Sequence, residues 1–416
     1  MELVESTLKL LSRFVEVPTV NPPGEGYEAF AKLAESLLRD MGFSVEVVEV
    51  PSDYLDRHYP YAPAHRGYPR YVVLGRYGEG SPVLHFNGHY DVVPPGSGWS
   101  YEPFKATVVG DRVYGRGTTD MKGGIAAVLV AIGSLLKEGF EPRGTIEVAL
   151  VPDEEAGGVG SRFLVEKILK ATPDYVVIAE PTTSTMVSIG HKGMVRGLVR
   201  VFGKQVHGST PWLGENAFLI AARLASRFSE LYEPVLRSRR TSAPVLLPEG
   251  AYPTINLGGY AESTSRKDNI VPGEFVFSFD RRLIPEEDVD EVVREIKELL
   301  DRVSKEVDSR YELKVLGSVP PSVTPTEAAV VRLVSNCVEE ELGVKPSLYL
   351  SFGRNDLVYY TNTLRAHGVC YGPGIMNVAH TADEYTTIPE LENSVRVYRC
   401  VIRRALRSRE PHFRAR

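Results

Sequence analysis

The chain has 416 residues, 43% hydrophobic and 25% charged, with a net charge of -6 at pH 7. That length exceeds one ordinary core and predicts two domains, and the mild acidity gives no reason to expect nucleic acid as a partner. No run of about 18 apolar residues occurs, so no membrane span is expected. Three widely spaced cysteines, Cys337, Cys370 and Cys400, predict free thiols in a reducing cytoplasm rather than a disulfide framework.

The N-terminal MELVESTLKLLSRFVEV places Leu3, Leu8, Leu11, Phe14 and Val15 at helical spacing and lacks the basic start and long apolar stretch of a signal peptide. Strand-like runs follow at YVVLGRY, VLHFNGHYD, TIEVALVPD and YVVIAEP, with helical patterns near 27–40, 122–138 and 160–170. This alternation predicts an α/β fold, a mostly parallel sheet with helices on both faces. GGIAAVLVAIGSLL is apolar on all sides, as expected of a helix enclosed by the core.

From about residue 192 the pattern changes. MVRGLVRV alternates like a half-buried strand, ENAFLIAARLASRFSEL is helical, and TINLGGY and EFVFSFDR are strands. A second helix is expected from Glu286 to Val303, opened by Pro285 and an acidic first turn, and YELKVLG closes the set. The order β-α-β-β-α-β predicts a ferredoxin-like unit. We therefore expect a lid domain at 192–320 inserted into a discontinuous catalytic domain, 1–191 and 321–416. The basic C-terminal RRALRSREPHFRAR reads as a solvated helix end followed by a frayed terminus.

Before the insertion, each apolar strand ends in acids or histidine: NGHYD (His89, Asp91), GRGTTDMKGG (Asp120), VPDEEAGG (Glu154, Glu155) and IAEPT (Glu180). His380, in GPGIMNVAHTADEY, follows a late strand. Ligands of open α/β sheets bind outside the carboxyl ends of the strands, so a parallel sheet would gather these side chains on one rim. Neighbouring carboxylates raise one another's pKa, and no lysine or arginine cluster in these motifs compensates. Two divalent cations would. Imidazole and carboxylate ligands suit zinc, with cobalt or manganese as alternatives, and a carboxylate bridging two metals about 3.5–4 Å apart is a common hydrolytic arrangement.

The motifs GHYDVVPPG, GRGTTDMKGG, DEEAGG and AEP, with the late His380, resemble the metallohydrolase family of acetylornithine deacetylase, succinyl-diaminopimelate desuccinylase, aminoacylase and glutamate carboxypeptidase. The resemblance covers nearly the whole chain. It implies that His89 and Glu180 hold one metal, Glu155 and His380 the other, and that Asp120 bridges them. It makes Glu154 the general base that takes a proton from the metal-activated water. Asp91, two residues from His89 on an extended strand, would face the same way and fix the imidazole tautomer. GKQVHGSTPWLGENA resembles the family segment whose histidine stabilises the oxyanion, here His207, often across a homodimer formed through the lid domain. KDNIVP and FDRRL point to Asn269 and Arg282 as substrate contacts. One departure is SFGRNDL, where a glycine, threonine and serine-rich turn is usual; Arg354 there is a second candidate carboxylate anchor, and direct transfer of desuccinylase specificity is in doubt.

The resemblance thus implies a dinuclear amidohydrolase acting on a small N-acyl amino acid. The alternatives are a carboxypeptidase acting on short peptides or N-blocked amino acids, and a silent ligand-binding relative, which would lack a ligand or the base. None is missing here. No G-x-S-x-G elbow, H-E-x-x-H helix or phosphate loop occurs.

Overall fold

The computed structural model describes residues 2–407. His412 and residues 408–416 of the basic tail lie outside the described residues. The chain divides into two compact units. One comprises the described residues up to Gly190, Thr324–Tyr349 and those from Asn355 on; the other comprises His191–Val323 and Leu350–Arg354.

The larger unit is built on a mixed sheet of β1 (Ser44–Glu49), β2 (Tyr71–Glu79), β3 (Val83–His89), β6 (Gly144–Val151), β7 (Tyr175–Ile178), β8 (Met186–His191) and the Gly368–Cys370 strand; β4 (Thr107–Val109) and β5 (Arg112–Tyr114) lie outside it. The spatial order is β1-β2-β6-β3-β7-(Gly368–Cys370)-β8. β6, β3, β7 and the Gly368–Cys370 strand run parallel, whereas β1, β2 and β8 join antiparallel at the two sides. All eight residues of β6 are buried, which is why the parallel strands read as near-continuous apolar runs instead of alternating ones. The Lys122–Lys137 helix is buried on most of its circumference, as its all-round apolar sequence predicts. Glycine lets it approach the sheet: a Cβ on Gly124 would lie 2.0 Å from the Ala179 carbonyl oxygen, and one on Gly88 would lie 2.6 Å from Ile125 Cγ1.

The smaller unit holds β9 (Gly193–Phe202), β10 (Val206–His207), β11 (Thr254–Ser263), β12 (Ile270–Val271), β13 (Glu274–Leu283) and β14 (Arg310–Val319). Its four-stranded antiparallel sheet is ordered β11-β13-β9-β14. The Ala217–Arg237 and Val289–Glu306 helices pack against it through Leu224, Phe228, Ile296 and Leu300, opposite Val199, Phe277 and Phe279. This is the ferredoxin-like β-α-β-β-α-β arrangement. The second helix begins at Val289, three residues later than expected. Asp288 caps it, accepting from the N–H groups of Asp290 and Glu291 at 2.9 and 3.1 Å, and a cap must stand outside the first turn.

One expectation is overturned. Cys337 and Cys400 form a disulfide with a Cα–Cα distance of 5.6 Å, and only Cys370 is a free, buried thiol. The two cysteines are 63 residues apart in sequence, but the Ala329–Leu342 and Ile388–Ala405 helices that carry them pack side by side. Linear spacing contains nothing of that packing. The disulfide removes the cysteine-based argument for a reducing compartment, since persistent disulfides mark oxidising compartments or hyperthermophilic cytosols. Among the described residues no helix is long and apolar enough to cross a membrane.

Candidate metal centre

β6, β3 and β7 are adjacent and parallel, so their carboxyl ends deliver His89, the Asp153–Glu155 turn and Glu180 to one rim. Asp120 comes from the loop before the Lys122–Lys137 helix, and His380 from the loop after the Gly368–Cys370 strand. Asp120 faces two imidazoles: Oδ1 lies 3.1 Å from His89 Nε2, and Oδ2 lies 3.3 Å from His380 Nε2. His89 Nε2 is 3.8 Å from Glu180 Oε1, and His380 Nε2 is 2.8 Å from Glu155 Oε1. Candidate ligand atoms of His89, Asp120 and Glu155 fall within 4.8 Å of one another, as do those of His89, Glu154 and Glu180. The five residues read from the sequence as ligands therefore converge.

His89 is buried and turns Nδ1 towards Asp91, 3.1 Å from its carbonyl oxygen and 3.4 Å from carboxylate Oδ1. Nε2 is left for the cluster, the usual division of roles in a ligating histidine. The Asp91 carboxylate does more than the sequence suggests. It accepts the backbone N–H groups of Glu154 and Glu155, each at 3.1 Å, and the Asn21 amide at 3.1 Å. One buried carboxylate thus orients the imidazole and pins the turn bearing both glutamates. Behind it, Asp153 accepts from Asn21, Tyr27 and the buried Arg70.

The electrostatics fit cations. Burial and the charge of Asp120 push Glu155 up to about 7. Burial, opposed by His89 and reinforced by Asp120, pushes Glu180 well above the carboxylate range. Burial opposes protonation of His89, but hydrogen bonds to Asp120 and Asp91 outweigh it and raise its pKa. Hydrogen bonds to Asp120 and Glu155 push His380 up to about 10. Protons on the imidazoles thus balance the crowded acids, a task that bound divalent cations would take over. The donor set, imidazole nitrogen plus carboxylate oxygen, suits zinc, cobalt or manganese. A third cluster, Glu340, Glu341 and Cys400, has its sulfur committed to the disulfide.

Within the smaller unit, His207 and Asn269 are brought together: His207 pairs with Ile270 between β10 and β12, and Gly208 donates its N–H to the Asn269 carbonyl at 2.7 Å. His207 is exposed. Its Nδ1 accepts the Ser209 backbone N–H at 3.1 Å, so in the neutral ring Nε2 carries the proton. Arg282 spends its guanidinium on Asp280, with Nε at 2.7 Å and Nη2 at 3.1 Å from the two carboxylate oxygens. It also lines a cavity of about 470 Å³ with Lys192, Leu247 and Phe352. Arg354 is half-buried at the end of the Leu350–Arg354 segment.

Sequence reasoning missed Glu384, which accepts the Asp120 backbone N–H at 3.0 Å, and Asp356, a buried acid whose charge raises Glu180. Neither has a local sequence signal, because the Glu384 bond to Asp120 spans 264 residues and the Asp356 effect on Glu180 is likewise made between distant segments. Among the remaining histidines, His85 is buried between Glu147 and the Tyr360 hydroxyl, each at 2.9 Å, which is a structural role.

Comparison with known proteins follows this geometry. Residues 85–404 match the model described as peptidase family M20/M25/M40. The succinyl-diaminopimelate desuccinylase of Hydrogenovibrio crunogenus is 26% identical over 406 residues, 95% of this chain and 98% of that protein. The desuccinylase of Gluconobacter oxydans is 36% identical over 220 residues, 51% of this chain and 52% of that protein. A tripeptidase structure from Staphylococcus aureus superposes with a TM-score of 0.76 at 19% identity, covering 97% of this chain and 98% of that chain. An M20 family metallo-carboxypeptidase from Sulfolobus solfataricus gives 0.74 at 21% identity, covering 95% and 98%. At these identities the two structures establish the shared fold.

Proposed function

The chain belongs to peptidase family M20/M25/M40 and is a metal-dependent amide-bond hydrolase, and from that premise we propose that it removes the acyl group from the α-nitrogen of a small N-acyl amino acid at a dinuclear centre. His89 and Glu180 would hold one cation, Glu155 and His380 the other, with Asp120 between them. Such a pair, zinc or alternatively cobalt or manganese, supplies acidification of a water molecule and polarisation of the scissile carbonyl. The observation carrying this reading is that the two oxygens of Asp120 face two different imidazoles.

The remaining steps fall to side chains. Glu154, buried at the rim, takes the proton of the attacking water and passes it to the departing nitrogen. Asp91 keeps His89 in the tautomer that presents Nε2. His207 offers its Nε2–H to the oxyanion, where one good donor is worth roughly 2.7–4 kcal/mol of barrier, and it does so across a homodimer formed through the smaller unit. The exposure of His207 supports this, as do Trp212, Leu213, Phe218 and Leu219, which are 75%, 57%, 48% and 54% exposed in the same unit and form apolar surface of the kind subunit contacts cover. Asn269, Arg282 and Arg354 contact the substrate, with Arg282 sharing its charge between Asp280 and a substrate carboxylate.

The test is elemental analysis of protein reconstituted with zinc, cobalt or manganese, together with a panel of N-acetyl amino acids, N-succinyl amino acids and dipeptides. Two metals per chain and preferential cleavage of acyl amino acids are expected. Substoichiometric metal refutes the dinuclear centre, and a preference for dipeptides replaces the deacylase with a peptidase. A monomer under assay conditions removes the cross-subunit role of His207.

A further inference from the structure

We propose that Glu384 is a positioning residue for the metal centre, tying the loop that carries Asp120 to the segment that carries His380. This rests on the reading of Asp120 and His380 as ligands. Glu384 is wholly buried. Its Oε1 accepts three convergent backbone N–H groups, from Gly117 at 3.1 Å, Thr119 at 2.9 Å and Asp120 at 3.0 Å. Its Oε2 accepts from Arg116 Nη1 at 2.6 Å. N–H groups of one turn converging on a single carboxylate oxygen make an anion-binding concavity, and here the anion is supplied from 264 residues away.

Arg116 is itself buried, with its guanidinium 5.1 Å from the Trp99 ring centroid. Around this pair the two segments are stitched further. Gly115 donates its N–H to the Glu384 carbonyl at 2.9 Å, Thr119 Oγ1 donates to the Tyr385 carbonyl at 2.6 Å, and Tyr385–Thr387 pairs antiparallel with β5. On the other side of Glu384, Asp383 accepts the Ser100 N–H at 2.7 Å. His380, four residues upstream, holds a left-handed φ of 64°, which a non-glycine residue keeps only when its surroundings enforce it.

The Glu384 bond ends on the backbone of Asp120 itself. The Asp120 side chain must send one oxygen to His89 and the other to His380; rotation of its backbone withdraws one of them. A carboxylate that satisfies three N–H groups and a guanidinium at once permits one orientation of that loop. Glutamine does not reproduce it, because its amide presents N–H groups either to Arg116 or to the concavity.

The experiment compares Glu384→Gln and Arg116→Lys with the wild-type chain. It reads Zn²⁺ affinity by equilibrium competition against a chelator, the absorption spectrum of the Co²⁺-loaded protein, kcat and KM, and thermal midpoint. The expected result is about 10- to 100-fold weaker Zn²⁺ binding in Glu384→Gln, the usual penalty for disturbing a group behind a ligand. An altered Co²⁺ spectrum, reduced kcat with KM little changed, and a smaller shift in the same direction for Arg116→Lys should accompany it. If Glu384→Gln does not fold, Arg116→Lys carries the test. Lower thermal midpoints with wild-type Zn²⁺ affinity and Co²⁺ spectra reduce Glu384 to a structural residue and overturn the proposal. Asp120→Asn and His380→Ala separate the two levels: if they lose Zn²⁺ while the Glu384 and Arg116 variants keep it, only this inference fails. If Asp120→Asn and His380→Ala also keep Zn²⁺, the metal-centre reading itself fails.

Discussion

Nε2 of His380 lies 2.8 Å from Oε1 of Glu155, although 225 residues separate the two in sequence. His380 itself has φ 64°, and Asp153, two residues before Glu155, has φ 63°. Left-handed non-glycine residues are uncommon and cluster where a site constrains geometry more strongly than local preference does. The contact joins a half-exposed imidazole to a nearly buried carboxylate.

Glu154 and Glu155 are neighbours with different tasks, so their substitutions should separate. Glu154→Ala is expected to reduce turnover by about 10²–10⁴-fold, the usual worth of a positioned base, with bound metal unchanged. Single-turnover assays alongside elemental analysis check this. Undiminished turnover in that variant removes Glu154 from the mechanism.

Asp91→Asn keeps the shape but loses one acceptor oxygen among the Glu154, Glu155 and Asn21 donors. We expect metal affinity or activity to drop about 10- to 100-fold. Calorimetric titration with Zn²⁺ reads it; an unchanged binding isotherm with normal kcat contradicts the orienting role.

The Cys337–Cys400 disulfide joins the Ala329–Leu342 and Ile388–Ala405 helices across a sequence separation of 63 residues. Loop-closure entropy sets its worth at about 4 kcal/mol. Cys400→Ser should lower the thermal midpoint measurably and leave Zn²⁺ affinity alone. Identical melting of the oxidised wild type and the variant would show that the crosslink contributes nothing.

Glu147 provides a pH-dependent test away from the metal centre. Burial opposes its ionisation, but hydrogen bonds from His85 and Arg76 outweigh that and lower its pKa from 4.5 to about 2. A depressed folded-state pKa adds stability that is present above the unfolded value and lost as pH falls through the folded one, here between about 4.5 and about 2, on the order of 3 kcal/mol. The stability gap between wild type and Glu147→Gln should therefore be widest above pH 4.5 and narrow towards pH 2. Denaturant titrations across that range would expose a gap that stays constant, which this account does not allow.

How much of the site was legible depended on how local its causes were. His89, Glu155 and Glu180 follow buried parallel strands, and an apolar run followed by a polar group already identifies the strand's end. The Arg282–Asp280 fork was also within reach, because residues two apart on a strand share a face and the acid precedes the arginine in FDRR. Glu384 was not, since nothing near HTADEY indicates that its carboxylate fills a concavity contributed by Gly117, Thr119 and Asp120. The Asp91 contacts to the Glu154 and Glu155 amides were hidden for the same reason.

Periodicity and strand-end chemistry, both properties of neighbouring residues, sufficed to define an α/β sheet carrying acids on one rim and a β-α-β-β-α-β insertion. Which carboxylate oxygen meets which imidazole, which cysteine finds which, and which buried acid holds the Asp120 loop were decided only when distant segments packed. Those outcomes depend on distances of a few ångströms between residues tens to hundreds of positions apart, a scale on which neighbours in the chain carry no information.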